Sequence, residues 1–354
     1  MPGAAGAGSD GDVMAEASGD EAGAASGRPA TGQPETERPA GQPKTGQPKT
    51  GQPTGRLVVA GLGYAGMAAA RAAAAAGWVV CGTARDPSRR PAPPGIEVIP
   101  FDAAGPAIAA ATHLLVTAAP GAAGDPVLAA HAGAIRAARR LAWIGYVSTT
   151  AVYGDRAGGL VDEDTPPAPR QERGRRRLAA ELGWAALATG RTVDLLRTGG
   201  IYGPGRSALN DLREGTARRV IRPGHRFSRI HRDDIAHAAL AAMEQNAALA
   251  AMEQTAAGKA ASGTRVLHLV DDEPAESAAV VEEAARLLGV PPPPALSFAE
   301  AEAAMSPMAR SFWSERREVS SARTQALLGI RWLYPTYREG LRAILQEEQG
   351  ERPA

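Results

Sequence analysis

Apolar positions in this chain fall into short runs, separated by glycine and by alanine-rich polar stretches. The first run is Leu57-Val58-Val59-Ala60, directly after Arg56. A glycine cluster follows it, then an alanine-rich segment over 67–76 that stops at Gly77. A brief apolar run bounded by glycine predicts a buried strand, and an alanine-rich stretch closed by glycine predicts a helix. The same reading predicts strands over 78–83, 96–99, 113–117, 143–148 and 192–197, and a later one over Val266–Val270. Between them it predicts a helical turn over Pro106–Ala111 and helices over 126–140 and 174–189, with a proline-rich loop over 160–170. The helix over 126–140 ends in basic residues, as the negative end of its dipole favours. Short strands alternating with helices indicate βαβ units, and right-handed crossovers place the helices on both faces of a parallel sheet.

After residue 200 the alternation loosens. Residues 245–264 are polar and alanine-rich, and Ala-Ala-Met-Glu-Gln occurs twice, at 241–245 and 250–254. This duplication reads as a slipped repeat extending a helix or loop, most simply a flexible inserted surface segment. Helices are expected at about 275–289, 298–304, 321–328 and 336–347, which makes 273–348 a small, mostly helical subdomain.

Composition changes the picture at the start of the chain. Residues 1–55 contain, beyond Met1, only Val13 and Met14 from the large apolar types, and they repeat Gly-Gln-Pro-Lys-Thr at 41–45 and 46–50. Such a stretch cannot bury enough apolar surface to offset its ordering entropy, so 1–55 is expected to be a disordered tail. Acidic residues are plentiful there and no apolar core of a signal sequence is present, which speaks against a targeting peptide. The formal net charge of +1 among 354 residues points to neither nucleic acid nor an anionic membrane. No apolar run is long enough to span a bilayer, and the single cysteine, Cys81, excludes an internal disulfide. A soluble cytoplasmic protein is the expectation.

The glycine cluster is Gly61-Leu62-Gly63-Tyr64-Ala65-Gly66, a GxGxxG pattern with a strand before it and a helix after it. In that setting Gly61 allows the tight turn, Gly63 lets the backbone approach a diphosphate, and Gly66 lets helix and strand pack closely. The amides of the helix N-terminus then face the phosphates. A Rossmann-type domain over 56–272 binding a nicotinamide dinucleotide follows. The next strand ends Thr83-Ala84-Arg85-Asp86, without an acid at the position that would read a ribose 2′-hydroxyl. Arg85 beside it suits a 2′-phosphate, which favours NADP over NAD, unless Arg85 is solvated and Asp86 only caps the turn. Asp102 could accept from the adenine amine or hold a turn, and Ala118 is small enough for the cofactor to pass. The histidines are scattered without metal-ligand spacing, and no metal is expected.

Further blocks complete a pattern. They are Tyr146-Val147-Ser148-Thr149-Thr150-Ala151-Val152-Tyr153-Gly154, Val161-Asp162-Glu163, Arg173-Gly174-Arg175-Arg176-Arg177-Leu178-Ala179-Ala180-Glu181, Leu196–Gly205 and Arg229–Ala236. In order and spacing the chain resembles the extended short-chain dehydrogenase/reductase superfamily, in its NAD-dependent epimerase/dehydratase branch. More narrowly, it is similar to the bacterial subgroup typified by YeeZ, which the ending Tyr334–Leu341 also suits. The resemblance implies a doubly wound parallel sheet with a C-terminal substrate subdomain, to which 198–226 also contributes. It implies a small-molecule substrate and dimers in many relatives. It also implies catalysis by a Ser/Thr with a Tyr-x-x-x-Lys pair.

Thr149 takes the Ser/Thr position, but the Tyr and Lys positions fall on Arg173 and Arg177. Arginine keeps its proton in proteins, so Arg173 cannot donate and accept as tyrosine does. Arg177 could still hold ribose hydroxyls, or these arginines could form a solvated face paired partly with Glu172 and Glu181. Lying one helical turn apart, Arg173 and Arg177 are expected to face one site. Tyr153 is the candidate replacement for the missing acid. Tyr202, Arg229 and His231 are expected on the substrate side, His231 titrating in the useful range. Asp233-Asp234 reads as a helix N-cap and first-turn acid before Ile235. The favoured function is an NAD(P)-dependent oxidoreductase or epimerase-like enzyme acting on a small polar carbonyl, alcohol or nucleotide-sugar-type substrate. The alternative is a non-catalytic NADP(H)-binding sensor.

Overall fold

The computed structural model describes residues 55–89, 92–253 and 262–350. The expected tail lies outside the described residues, Gly55 excepted. The apolar runs pair as one seven-stranded sheet, wholly parallel. Its strands are β1 (Arg56–Ala60), β2 (Val79–Ala84), β3 (Ile96–Pro100), β4 (His113–Val116), β5 (Trp143–Thr149), β6 (Thr192–Thr198) and β7 (Gly263–Leu269). Their spatial order is β7-β6-β5-β4-β1-β2-β3. The order reverses between β1 and β4, and at such a switch point the crossovers diverge and leave a crevice at the carboxyl ends of the strands.

Alternation along β1 divides the core in two. Leu57 and Val59 face α1 (Tyr64–Ala75) and α6 (Arg232–Glu253), where Ala69, Ala70, Ala73, Ala239 and Met243 pack. Val58 and Ala60 face the opposite layer, with α3 (Pro126–Ala137) and α4 (Glu172–Ala185) contributing Val127, Ile135 and Trp184. The strict two-residue period of a strand sends neighbours to opposite faces, and alanine-rich helices come close to the sheet on one of them.

Residues 200–231 leave the sheet and form short strand pairs, with Gly200–Tyr202 parallel to Arg229–His231. Beyond β7 come α7 (Ser277–Leu288), α8 (Phe298–Ala303), α9 (Pro307–Trp313), α10 (Ala322–Leu328) and α11 (Tyr337–Glu348). A separate apolar cluster joins Tyr202 and Leu209 to Ala284, Tyr337, Leu341 and Ile344. The substrate-side segment thus packs with the C-terminal helices, beyond the carboxyl edge of the sheet. No helix among the described residues is long and apolar enough to cross a membrane.

The expectation of a flexible insertion over 245–264 needs correction in its first part. α6 continues unbroken to Glu253. Asn246 is buried and its Nδ2 donates to Thr192 Oγ1 at 3.1 Å, while Gln245 bonds Leu327 O and Arg265. No glycine or proline interrupts 232–253, and alanine is the best helix former, so the helix has no reason to stop there. Residues 254–261 lie outside the described residues.

One buried ion pair crosses from α4 to the sheet. Arg197 on β6 clasps Glu181 with two bonds, Nη2 to Oε2 at 2.7 Å and Nε to Oε1 at 3.0 Å. The side chains are 5% and 2% exposed. Ser148 Oγ also donates to Glu181, and Arg197 Nη1 donates to Tyr153 O–H at 2.7 Å. Glu181 therefore has its partner on the sheet and not among the arginines of its own helix. Removing one member of such a pair strands the other charge, typically at a cost of about 3–5 kcal/mol. Arg197→Met should lower the urea midpoint by a shift of that size, and Arg197→Met with Glu181→Leu should recover most of it. Equal loss in the single and double variants would show that the pair is not what the site depends on.

Candidate functional site

The glycine loop is held from behind and open in front. Gly61 adopts a φ of +109°, which favours glycine. Its N–H donates to Thr83 Oγ1 at 2.9 Å, Leu62 N–H donates to Thr83 O at 2.8 Å, and Thr117 Oγ1 donates to Gly61 O. A side chain at Gly66 would run into the Gly61 carbonyl, whereas one at Gly63 would meet nothing within 4 Å. No side chain caps α1, and its first turn carries no acid. The first-turn amides, which have no partner inside a helix, therefore face open ground without competing negative charge. The cradle fits the diphosphate of a dinucleotide.

The individual residues divide. Thr83 is buried and spent on holding the loop, so its side chain is support and not a cofactor contact. Ala118 N–H bonds Ala60 O at the end of β1, which ties the β4 exit to the loop. Arg85 and Asp102 are exposed. Asp86 accepts from Ser88 N–H and Oγ–H and lies 3.5 Å from Arg89, so it closes the turn and leaves Arg85 without an ion-pair partner among the described residues. Tyr64 turns its hydroxyl to Pro204 O at 3.0 Å, and the Arg232 and Arg206 guanidiniums lie 5.1 and 5.6 Å from its ring centre. It links the cofactor loop to the substrate-side segment.

Past the carboxyl ends of β5 and β6 lies a cavity of about 370 Å³. Thr149, Arg173, Arg226, Arg229, Arg317 and Glu315 line it, with Phe227, Phe312 and Trp313 as aromatic walls. Thr149 accepts from Ala151 N–H, which leaves its own proton to donate. Arg173 lies 4.0 Å over the Phe312 ring. Glu315 is buried, accepts from Arg317 Nη1 at 2.9 Å through Oε2, and has no partner for Oε1. Four guanidiniums against one carboxylate leave the cavity positive. Residues 311–319 were not singled out in the sequence, because the fold alone brings them back against β5. α9 has no buried residue and no strong apolar period to announce it.

Several expectations are overturned. Arg173 and Arg177 do not face one site. Arg177 turns to β5, its Nη1 donating to Val147 O at 2.9 Å and Tyr146 O–H at 3.2 Å. Arg175 and Arg176 pair with Glu172 on the exposed side. Tyr153 is fully buried among Val152, Val161, Val270 and Val319, its hydroxyl held by Arg197 and His268 Nε2. Burial pushes it up to about 12, so it cannot serve the cavity as an acid. Tyr146 is likewise pushed up to about 12 by burial. His231 is buried between Tyr202 and Tyr334, at ring distances of 5.2 and 4.3 Å, and lines neither this cavity nor its neighbour. Burial lowers it to about 4, so it is neutral at neutral pH and not a titrating group there. Tyr202 lies apart from Thr149, on a second cavity that shares Arg229 and Ser277 with the first.

Two acids behind this region do structural work. Asp233 and Asp234 lie in the first turn of α6, as expected, but Asp234 does not cap it: Asp234 is buried, and its carboxylate accepts Leu333 N–H at 2.6 Å and Tyr334 N–H at 3.2 Å. It pins the turn before α11 onto the start of α6. Asp271 is also buried, and neither of its side-chain oxygens has a hydrogen-bond partner among the described residues. Desolvation pushes it up to about 8 against the attraction of Arg229.

No family model matches the chain. It is 40% identical to a conserved Silicibacter pomeroyi protein of unknown function, with a TM-score of 0.72 over 83% of this chain and 99% of that one. A Methylobacillus flagellatus protein provisionally assigned as an NAD-dependent epimerase/dehydratase is 25% identical, with a TM-score of 0.60 over 84% of this chain and 99% of its own. A Streptomyces sp. 3-diazoavenalumate denitrifying reductase is 31% identical over 173 residues, 47% of this chain and 51% of the reductase. The chain thus spans about half the length of that curated relative. Its structural neighbours include members of the NAD-dependent epimerase/dehydratase family, and the reductase relative supports the extended short-chain dehydrogenase/reductase superfamily. These relatives do not single out the narrower YeeZ-like subgroup.

Asp271 gives the site a pH signature. An unfolded Asp titrates at about 4, and the folded one at about 8. Between those values the unfolded chain has released a proton that the fold retains. The stabilisation is complete below about pH 4 and is lost as pH rises towards 8. Asp271→Asn should therefore gain on the parent protein in urea midpoint as pH goes from 5 to 8. A gap between the two that stays constant over that range would refute the assignment.

Proposed function

We propose that this protein is an NADP-dependent oxidoreductase acting on a small anionic substrate with a planar apolar body. The observation that carries the reading is the cavity beyond β5 and β6, with Thr149 and four arginines on its wall and aromatic rings facing them. A site of this size suits a small molecule, and guanidiniums bind carboxylates in paired, planar fashion. The Streptomyces relative, a reductase by name, supports reduction over epimerisation. Arg85, exposed and without an ion-pair partner among the described residues, supports the 2′-phosphate of NADP over the bare ribose of NAD.

NADPH, when bound along the glycine loop, supplies the hydride. The chain's own residues hold the substrate and manage the proton. Arg173, Arg226 and Arg317 hold its negative charge. Thr149 Oγ–H donates to the atom that gains electron density. Arg173 cannot release a proton, so the place of the family tyrosine is taken by a binding group. Glu315 is the carboxyl on the wall of the cavity and the group to exchange a proton with the product. Arg177 acts from the side, fixing the end of β5 beside the nicotinamide ribose.

A second reading rests on a specific observation: none of Tyr146, Tyr153 and Tyr202 reaches the cavity that holds Thr149. In that reading the protein senses the redox state of NADP(H) without turnover.

Two measurements separate these readings. Fluorescence titration should show NADPH binding more tightly than NADH, and Arg85→Ala should erase the difference. Preference for NADH in the parent protein would overturn the role given to Arg85. Absorbance of NADPH is then followed with aryl acids that carry a carbonyl or conjugated double bond. Glu315→Gln should leave NADPH affinity unchanged and slow turnover by about 10²-fold or more, the usual weight of a general acid–base group. Tight NADPH binding with no oxidation by any of these acids would support the sensor.

A further inference from the structure

The cavity that holds Thr149 has an exposed outer part and a buried inner part. Of its charged wall residues, Arg173 and Arg226 are exposed, Arg229 and Arg317 are half-buried, and Glu315 is buried. The inner guanidiniums are already committed. Arg317 Nη1 donates to Gly154 O and to Glu315 Oε2, each at 2.9 Å. Arg229 Nη1 donates to Phe227 O and Ala275 O, each at 2.9 Å. At the rim, Arg226 pairs with Glu318 at 3.4 Å. Arg173 differs from all three, because its guanidinium makes no hydrogen bond or ion pair among the described residues.

Exposure alone would also leave an arginine unpaired, but this one is held in place. Its guanidinium carbon lies 4.0 Å from the centre of the Phe312 ring. Phe312 is 47% exposed, on a helix with no buried residue, so the ring serves no core. The contact joins α4 to α9 across the outer part of the cavity. Beside it Gln171, just before α4, donates from Nε2 to Ser314 Oγ, just past α9, at 3.2 Å. A guanidinium stacked on a ring keeps its N–H bonds in its own plane. Stacking and pairing with a carboxylate therefore use different directions and do not compete. A free arginine must give up rotamer freedom to bind, and the ring removes much of that freedom beforehand.

We infer that Arg173 and Phe312 form a carboxylate clasp at the mouth of the cavity: Phe312 is a positioning residue that holds the guanidinium flat, and the free edge of the guanidinium pairs with a substrate carboxylate. The inference rests on the reading of this cavity as a site for an anionic planar substrate. It adds the group that selects the anion and the direction in which the substrate lies. The acid end sits at the rim, the apolar body runs along Phe227 and Trp313, and the reacting group points inward to Thr149. Arg226 and Arg317 contribute positive potential, while Arg173 makes the paired contact.

The test uses the full chain saturated with NADP⁺, so that no turnover occurs, and two probes of the same shape, cinnamate and the neutral cinnamamide. The readout is the ratio of their affinities by calorimetric titration, with thermal unfolding as the check that each variant is folded. A loss of wall contact weakens both probes and cancels in the ratio, so a merely structural role for Phe312 would not move it. The parent protein should favour cinnamate by about tenfold or more, the weight of a charge-assisted pair. Arg173→Gln should bring the ratio close to one. Phe312→Leu should lower it by about threefold, the weight of an exposed cation–π contact, and Phe312→Tyr should keep it. Phe312→Leu added to Arg173→Gln should change the ratio no further, because the ring acts through the arginine. A ratio retained in Arg173→Gln would overturn the clasp and leave the anionic reading of the cavity intact. A ratio unchanged in Phe312→Leu would overturn the positioning role. Failure of both probes to bind, or equal affinity in the parent protein, would overturn the anionic reading, and the clasp with it.

Discussion

The structure depends on a close approach of backbone to backbone at the end of β1. There Gly61 turns with positive φ, and Gly66 sits against the Gly61 carbonyl with no room for a side chain. That contact lets α1 start immediately over the sheet, with its first amides uncapped and pointing beyond the strand ends. Everything proposed for the cofactor follows from those amides. The supporting bonds come from β2 and β4, through Thr83 and Thr117, so the loop is part of the sheet's packing and not an appendage. Tyr64 extends the same unit to Pro204, and a shift of the substrate-side segment would be felt at the loop.

The departures from the family pattern make physical sense together. A tyrosine at position 173 would sit in the cavity as an acid. Arg173 sits there as a fixed positive charge, stacked on Phe312 and joined by Arg226, Arg229 and Arg317. Tyr146, Tyr153 and Tyr202 lie in packed surroundings, where burial raises their pKa and removes them from proton transfer. Catalysis in such a site would rely on charge stabilisation and placement, with the proton handled by a carboxyl. The buried Arg197–Glu181 pair with Ser148 keeps the strand ends rigid just below Thr149.

Much of the fold was legible in the sequence, and for local reasons. The strands of the sheet are short apolar runs, glycines mark the loop, and most helices carry clear stops. The loop residues could be read because strand, glycine spacing and helix lie within one contiguous stretch. The substrate side could not be read in the same way. Phe312 and Trp313, on a helix with no buried residue, and Glu315, just past its end, reach the cavity from a part of the chain far from Thr149. His231 and Tyr153 carry suggestive chemistry in sequence, but their burial is set by Tyr334, Val270 and Val319, which are remote in the chain. Arg177 was placed on the right helix, but its direction depended on an acceptor, Val147 O, that only the fold supplies. α6 ran past its expected end because a duplicated alanine-rich segment resembles an insertion and is also a good helix.

The account stands on dinucleotide phosphates lying over Gly63. A side chain there would meet no atom within 4 Å, and the residue has a negative φ of −75°, so Gly63→Val leaves the fold undisturbed while occupying the space meant for the phosphates. The decisive measurement is NADPH affinity by fluorescence, taken alongside thermal unfolding without ligand, for the parent protein and Gly63→Val. The account predicts matching unfolding temperatures and an affinity at least a hundredfold weaker in the variant. Equal affinity in the two proteins would contradict it.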